Sequence, residues 1–322
     1  MNLDSNYDSN TFRNEIKSHL GLDICLLLLS VVSLALNVLM MSIAVFRRRG
    51  QWAIDEVLLM MIGSTDALLA AFLILSQLWK WATDNAIVRD GSCWCRLSST
   101  LVWGTTVATL DLTGLLAVMR FMIIARGYTV ADHTWKRLGV LITTLVWILF
   151  ISKDMLSTAR VFPSGMYCAS IWGSTDAISI LYYTAMLVLV IPPLFVVPFC
   201  YAAITAHYHR LIAQMDETHK QFTTNLTLKL HGMALIIVLY LLALLPEYIQ
   251  AFVSFAFTMK LTSWIDGLTK ISIFCVTIVN VIFALLFHED INRELLTLVT
   301  EYDTKFTSTR LRTLPSRTSC EL

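Results

Sequence analysis

The chain has 322 residues, of which 57% are hydrophobic and only 15% charged, with a mean hydropathy of +0.68 and a formal net charge of +1. Soluble domains carry about 25% charged residues, so this composition points to an integral membrane protein. Near-neutral charge gives a nucleic-acid partner no electrostatic support, and twelve glycines and six prolines exclude a fibrous or low-complexity chain.

The N-terminal stretch MNLDSNYDSNTFRNEIKSHL is polar and mixed in charge. It lacks the basic start, short apolar core and small-residue cleavage site of a signal peptide. Residues 1–22 are therefore expected to stay as a segment ahead of an uncleaved first span. A bilayer-spanning helix needs about 20 mostly apolar residues. Seven stretches meet that length: 24–46, 57–79, 97–124, 138–162, 177–206, 232–257 and 266–287. Short polar connectors join them, which predicts an all-α membrane protein, a seven-transmembrane helix bundle over 23–288. The stretch HEDINRELLTLVTEY follows. Ile291, Leu295 and Leu298 recur at helical spacing behind an acidic start, which predicts a short interfacial helix after span seven, over 289–302. The tail 303–322 is rich in Ser, Thr and Arg and reads as a disordered cytoplasmic tail open to phosphorylation.

Seven spans put the termini on opposite sides. The connectors holding Arg47, Arg48, Arg49, Arg126, Lys136, Arg137, Arg210, Lys220 and Lys229 fall on the side of the C-terminal tail, and that side carries most of the loop lysines and arginines. Such an excess marks the cytoplasmic face, so the N-terminus is expected to be extracellular, in a multi-pass plasma-membrane protein surrounded by lipid. No internal repeat is visible, which weighs against an inverted-repeat transporter. Asn225-Leu226-Thr227 matches a glycosylation pattern but falls on the inner side.

Polar groups inside a membrane are costly and imply a structural or functional role. Asn37, Asp66, Thr109 and Asn280 fall in the first, second, third and seventh spans. They are read either as a polar clamp between helices or as the seat of a sodium ion or water cluster. Arg120 sits in the apolar run LLAVMRFMIIARGY with no acid beside it. Glu247 follows Pro246, where a proline loosens the helix ladder. A carboxylate at that depth needs a partner, and Lys270 is the candidate. Asp111 is expected to make a buried hydrogen bond to the fourth or fifth span. Lys153 and Asp154 are expected to snorkel at an interface. Of seven cysteines, Cys25, Cys200 and Cys275 lie in apolar runs, whereas Cys93, Cys95 and Cys168 flank them. No set of four ligands with zinc spacing is present, no nucleophile–base pair stands out, and neither a cofactor nor an enzymatic activity is expected.

The ordered set Asn37, Asp66, Cys95, Arg120, Trp147, Pro193 with Tyr201, Pro246 and Asn280 resembles the landmarks of the rhodopsin-like (class A) G-protein-coupled receptors, over about residues 22 to 300. The resemblance implies a receptor that passes an extracellular ligand's signal to a heterotrimeric G protein. It implies a disulfide from Cys95 to Cys168, with Cys93 as a competitor two residues away. It implies a ligand cleft near Val102, Trp103, Thr106, Met186, Glu247, Gln250, Lys270 and Phe274. Val102 stands where amine receptors carry their aspartate, and Phe274 where opsins carry the retinal-linking lysine, so a monoamine and a retinal ligand both lose their usual anchors. It also implies a coupling switch of Met119, Arg120, Phe121, Tyr201 and Asn280. Three motifs depart from the family. Met119 and Phe121 flank the arginine in place of an acid and a tyrosine, span six reads Ala243-Leu244-Leu245-Pro246, and span seven reads Asn280-Val281-Ile282-Phe283-Ala284. Without the acid the resting arginine loses its restraint, and elevated basal activity is expected. The alternatives are a seven-helix binding protein or atypical receptor without G-protein coupling, and then a transporter or channel.

Overall fold

The computed structural model describes residues 20–47, 52–84, 90–156, 159–162, 164–170, 177–213, 232, 234–235, 238–247, 249–250 and 262–287. The expected interfacial helix and tail lie outside them, as do most of the N-terminal segment and the 225–227 pattern.

The described helices are α1 Leu20–Ser42, α2 Ile54–Ala82, α3 Cys93–Ile124, α4 Asp132–Leu156, α5 Ala177–Ala213, α6 Val238–Glu247 and α7 Ser263–Phe287. All but α6 are long and apolar enough to cross a membrane. Each is laid out for lipid. In α1 the buried residues are Leu22, Asp23, Leu26, Ser30, Ser33, Asn37 and Met40, a single stripe at three- and four-residue steps. The outward positions Ile24, Leu28, Val31 and Val32 are apolar and exposed. Most of the polar side chains thus face the bundle and the hydrocarbon ones face out, as a solvent of acyl chains requires.

Helix starts follow local chemistry. Ser92 caps α3, its side chain accepting from the Cys95 amide at 3.0 Å. At the start of α2 the Glu56 carboxylate accepts from the Ala53 amide at 2.9 Å, and Asp55 adds a second negative charge beside the positive helix end. The last turn of α1 widens into a π-helical segment, Ile43–Arg47.

α1 packs on α2 and α7, and α3 is central, touching α2, α4 and α5. Small residues set the closest approaches. A Cβ on Gly104 would lie 3.2 Å from the Trp147 ring, which is where α3 and α4 meet. A Cβ on Gly63 would collide with the Met40 methyl and lie 3.4 Å from Asn37 Oδ1. The Met40 terminus is flexible and can move aside. Gly63→Ala should therefore cost under about 1 kcal/mol and Gly63→Leu about 1–3 kcal/mol. Thermal unfolding of the two purified variants checks this, and equal melting temperatures would sink the account.

The chain is not entirely helical. The fourth stretch was expected to run to residue 162, but α4 ends at Leu156 and a hairpin follows. β1 Ala159–Val161 pairs antiparallel with β2 Cys168–Ser170, with Val161 opposite Cys168. Pro163 disfavours a helical residue before it, and Gly165 takes a positive φ of 66° in the turn. Val161 N–H donates to Asp90 at 2.7 Å and Gly91 N–H to the Ala159 carbonyl at 2.9 Å, so the hairpin is tied to the α2–α3 connector.

Candidate functional site

Three of the polar clusters among the described residues contain the expected site residues. The first is at mid-depth. Asp66 on α2 is fully buried and accepts from Thr109 of α3 at 2.8 Å and from the Asn280 amide of α7 at 3.3 Å. Asn37 was grouped with these residues but bonds elsewhere. Its amide donates to the Ser33 carbonyl at 2.9 Å, and the Ser33 hydroxyl meets Thr277 at 2.8 Å. A cavity of about 10 Å³ borders Asp66, Thr106, Thr109 and Thr277. That is room for about one water-sized guest, and the side-chain donors around it are all oxygens.

The second cluster is at the arginine end. Arg120, half-buried on α3, donates from Nη1 to the Tyr201 hydroxyl at 3.4 Å. Its guanidinium lies 5.0 Å from the centre of the Phe283 ring, and Tyr201 meets that ring edge-on at 6.0 Å. No carboxylate among the described residues pairs with Arg120. Met119 is buried, turned away into an apolar cluster with Leu58, Leu112, Leu116, Trp135 and Val281. Neighbours on a helix point about 100° apart, so this residue is core packing in the structure. Phe121 packs against Phe199 of α5 at 6.0 Å, and Arg126 lies over its ring. A cavity of about 30 Å³ beside Tyr201, Tyr240, Asn280 and Phe283 lies between this cluster and the first.

The third cluster is at the disulfide end. Cys95 at the start of α3 is bonded to Cys168 of β2, and Cys93 is free and exposed, which resolves the choice between them. The bond holds the hairpin against the bundle, so Tyr167 and Ser164 reach α7. Lys270 is 1% exposed and pairs with Glu247 of α6. Its ammonium also lies 4.0 Å from the Trp103 ring centre and 4.6 Å from that of Tyr167. One turn earlier on the same face of α7, Asp266 is fully buried. It accepts from the Tyr167 hydroxyl at 2.7 Å, the Gln250 amide at 2.9 Å and the Ser164 N–H at 3.1 Å. Thr269 donates to the Gln250 carbonyl oxygen. Glu247 Oε2 is buried with no hydrogen-bond partner among the described residues. Burial first, then the negative charges of Asp266 and Glu247, push the Tyr167 hydroxyl well above the usual tyrosine range.

The expected cleft residues divide accordingly. Trp103, Glu247, Gln250 and Lys270 meet in this cluster. Val102 and Phe274 are buried in the main apolar core, and the Thr106 hydroxyl donates along its own helix to the Val102 carbonyl at 2.6 Å. The Met186 side chain lies outside the described set. Two expectations are corrected. Lys153 and Asp154 do not snorkel: both are buried, 3.1 Å apart, and bound to Ser99 and Thr100 of α3. Asp111 finds no partner for its Oδ2 among the described residues. Asp266 and Tyr167 had no role in the sequence reading, and Phe283 was named there only as part of the altered span-seven motif. Asp266 stood at the edge of a span, where a carboxylate looks ordinary, and Tyr167 stood in a loop. Only Phe283 left a signal, as an aromatic three residues after Asn280.

No protein-family profile matches the chain, and no curated protein is similar to it in sequence. Among solved structures it is similar to the crystal structure of squid rhodopsin, at 12% identity, with a TM-score of 0.64 over 89% of this chain and 87% of that one. At that identity the likeness speaks for architecture. The chain is a multi-pass membrane protein with a rhodopsin-like fold.

Proposed function

We propose that the protein is a plasma-membrane receptor with its disulfide end extracellular and its Arg120 end cytoplasmic. A ligand at the extracellular end shifts the helix bundle and exposes a cleft for a heterotrimeric G protein. The observation that carries this reading is the state of Arg120. It rests on Tyr201 and Phe283, groups from the fifth and seventh helices, and among the described residues no carboxylate holds it back. A receptor whose coupling arginine is already turned to the fifth helix has a raised basal population of the active state. Asp66 and Thr109 would hold a sodium ion or a water in the mid-depth cavity, coupling the two ends through Asn280.

The test is nucleotide exchange on purified G proteins by the protein in lipid nanodiscs, with no ligand added. Wild type is expected to stimulate exchange, and Arg120→Ala to reduce it at least about tenfold, the equivalent of about 1.4 kcal/mol. Met119→Asp restores the acid next to the arginine and is expected to lower basal exchange per folded molecule. Its melting temperature must be read alongside, because position 119 is buried among apolar side chains. Equal exchange by wild type and Arg120→Ala would instead favour a binding protein without coupling, the reading that the altered motifs in spans six and seven support. A transporter is disfavoured by the apolar layer of Val102, Leu244 and Phe274 between the disulfide-end and mid-depth clusters.

A further inference from the structure

The disulfide-end cluster has the chemistry of an organic-cation site, and the chain itself fills it. Two aromatic faces and one carboxylate surround one ammonium group, and a second carboxylate lies nearby. The group is the end of Lys270, against Trp103, Tyr167 and Glu247, with Asp266 one turn away and bridged to the cage by Tyr167. An ammonium over aromatic rings is attracted by their negative faces, most strongly where water is excluded. Here only 1% of Lys270 is exposed. We propose that Lys270 is a tethered ligand, occupying a site whose proper guest is a primary ammonium, so that an external organic cation binds only by displacing it.

Two geometric observations converge on this class of guest. Among the described residues the buried charges here are two carboxylates, Glu247 and Asp266, against one cation, Lys270, a surplus of negative charge with the lysine in place. Glu247 has an oxygen without a hydrogen-bond partner among the described residues, a second acceptor for an ammonium. Burial first, and then the charges of Asp266 and Glu247, raise the Tyr167 hydroxyl, which agrees with that surplus. An anionic ligand would meet two carboxylates to reach one lysine. The inference deepens the receptor reading only by putting this guest in the ligand cleft.

The experiment vacates the cage. Lys270→Ala removes the aminopropyl arm beyond Cβ, and n-propylammonium supplies the same atoms. In purified Lys270→Ala protein, n-propylammonium is expected to raise the melting temperature by about 2 °C or more at saturation. Isosteric 1-propanol and propionate should not, and wild type should not respond, its cage being filled. Adding Glu247→Gln should abolish most of the shift. An equal rise with 1-propanol, no rise in folded Lys270→Ala, or a rise unaffected by Glu247→Gln each overturns the proposal. If Lys270→Ala yields no folded protein alone, it is produced with each additive present. Recovery of monodisperse protein with the amine and not with the alcohol supports the tethered-ligand reading, and any other pattern of recovery overturns it. The readout is binding to the purified protein, so failure here leaves G-protein coupling standing, and a protein that never couples can still pass.

Discussion

Asp23→Ala is expected to destabilise the protein by about 3–5 kcal/mol, seen as a drop of about 6–10 °C in melting temperature in detergent. Lys80 of α2 donates to both Asp23 oxygens, at 2.9 and 2.7 Å, and both residues are 3% exposed. Removing the acid strands an ammonium between α1 and α2, away from water, and the cost of that uncompensated charge exceeds the net worth of the pair. The double replacement Asp23→Leu with Lys80→Met removes both charges and should recover most of the loss, because well-packed apolar groups serve as well as a buried ion pair. A double variant as unstable as the single one would show that packing, not the charge, was lost.

Loss of the disulfide is the other large effect. The Cys95–Cys168 bond closes a loop with a sequence separation of 73. On the chain-entropy account such a loop contributes about 4 kcal/mol by restricting the unfolded chain. Cys168→Ser and Cys95→Ser should each lower the melting temperature by about the same amount, and the double variant by no more than either. Cys93→Ser should be silent, since that thiol is free and exposed. A full-sized effect from Cys93→Ser would mean that the bond is shared between the two cysteines. The bond also carries a local role. Tyr167 precedes Cys168 and faces both Lys270 and Asp266, so reduction should loosen the ammonium cage before it unfolds the helices.

The disulfide end is held by groups that are each expensive to bury alone: Asp23 with Lys80, Asp154 with Lys153, and Glu247 with Lys270. Each acid has a basic partner, and in two of the three pairs the partner sits on another helix. Such pairs add little net stability over apolar packing, but they penalise any helix register that separates them. The arginine end is different. Arg120 has an aromatic ring and a hydroxyl in place of an acid, which are weaker partners that a guanidinium can leave at lower cost.

The amino-acid sequence by itself determined the class and the course of the chain. Lengths near 20 apolar residues are demanded by the thickness of a bilayer, so the spans were legible without any tertiary information, and six of the seven reappear as long apolar helices. Asp66 with Asn280 was legible for a related reason, since a polar group in a greasy run has few explanations, whereas Tyr201 as a partner of Arg120 came from the resemblance to the rhodopsin-like receptors. The hairpin was less visible, because three-residue strands leave almost no periodic signal. What only the tertiary structure decided was the burial and the partners of the charges near the span ends. Asp23, Lys80 and Asp266 stood at span edges, where charge is cheap, and Lys153 and Asp154 looked free to reach the interface. The fold buries all five, because residues distant in sequence arrive on facing sides of adjacent helices. Met119 shows the same limit from the other direction: its place in the sequence made it part of a switch, and its direction on α3 made it part of the core.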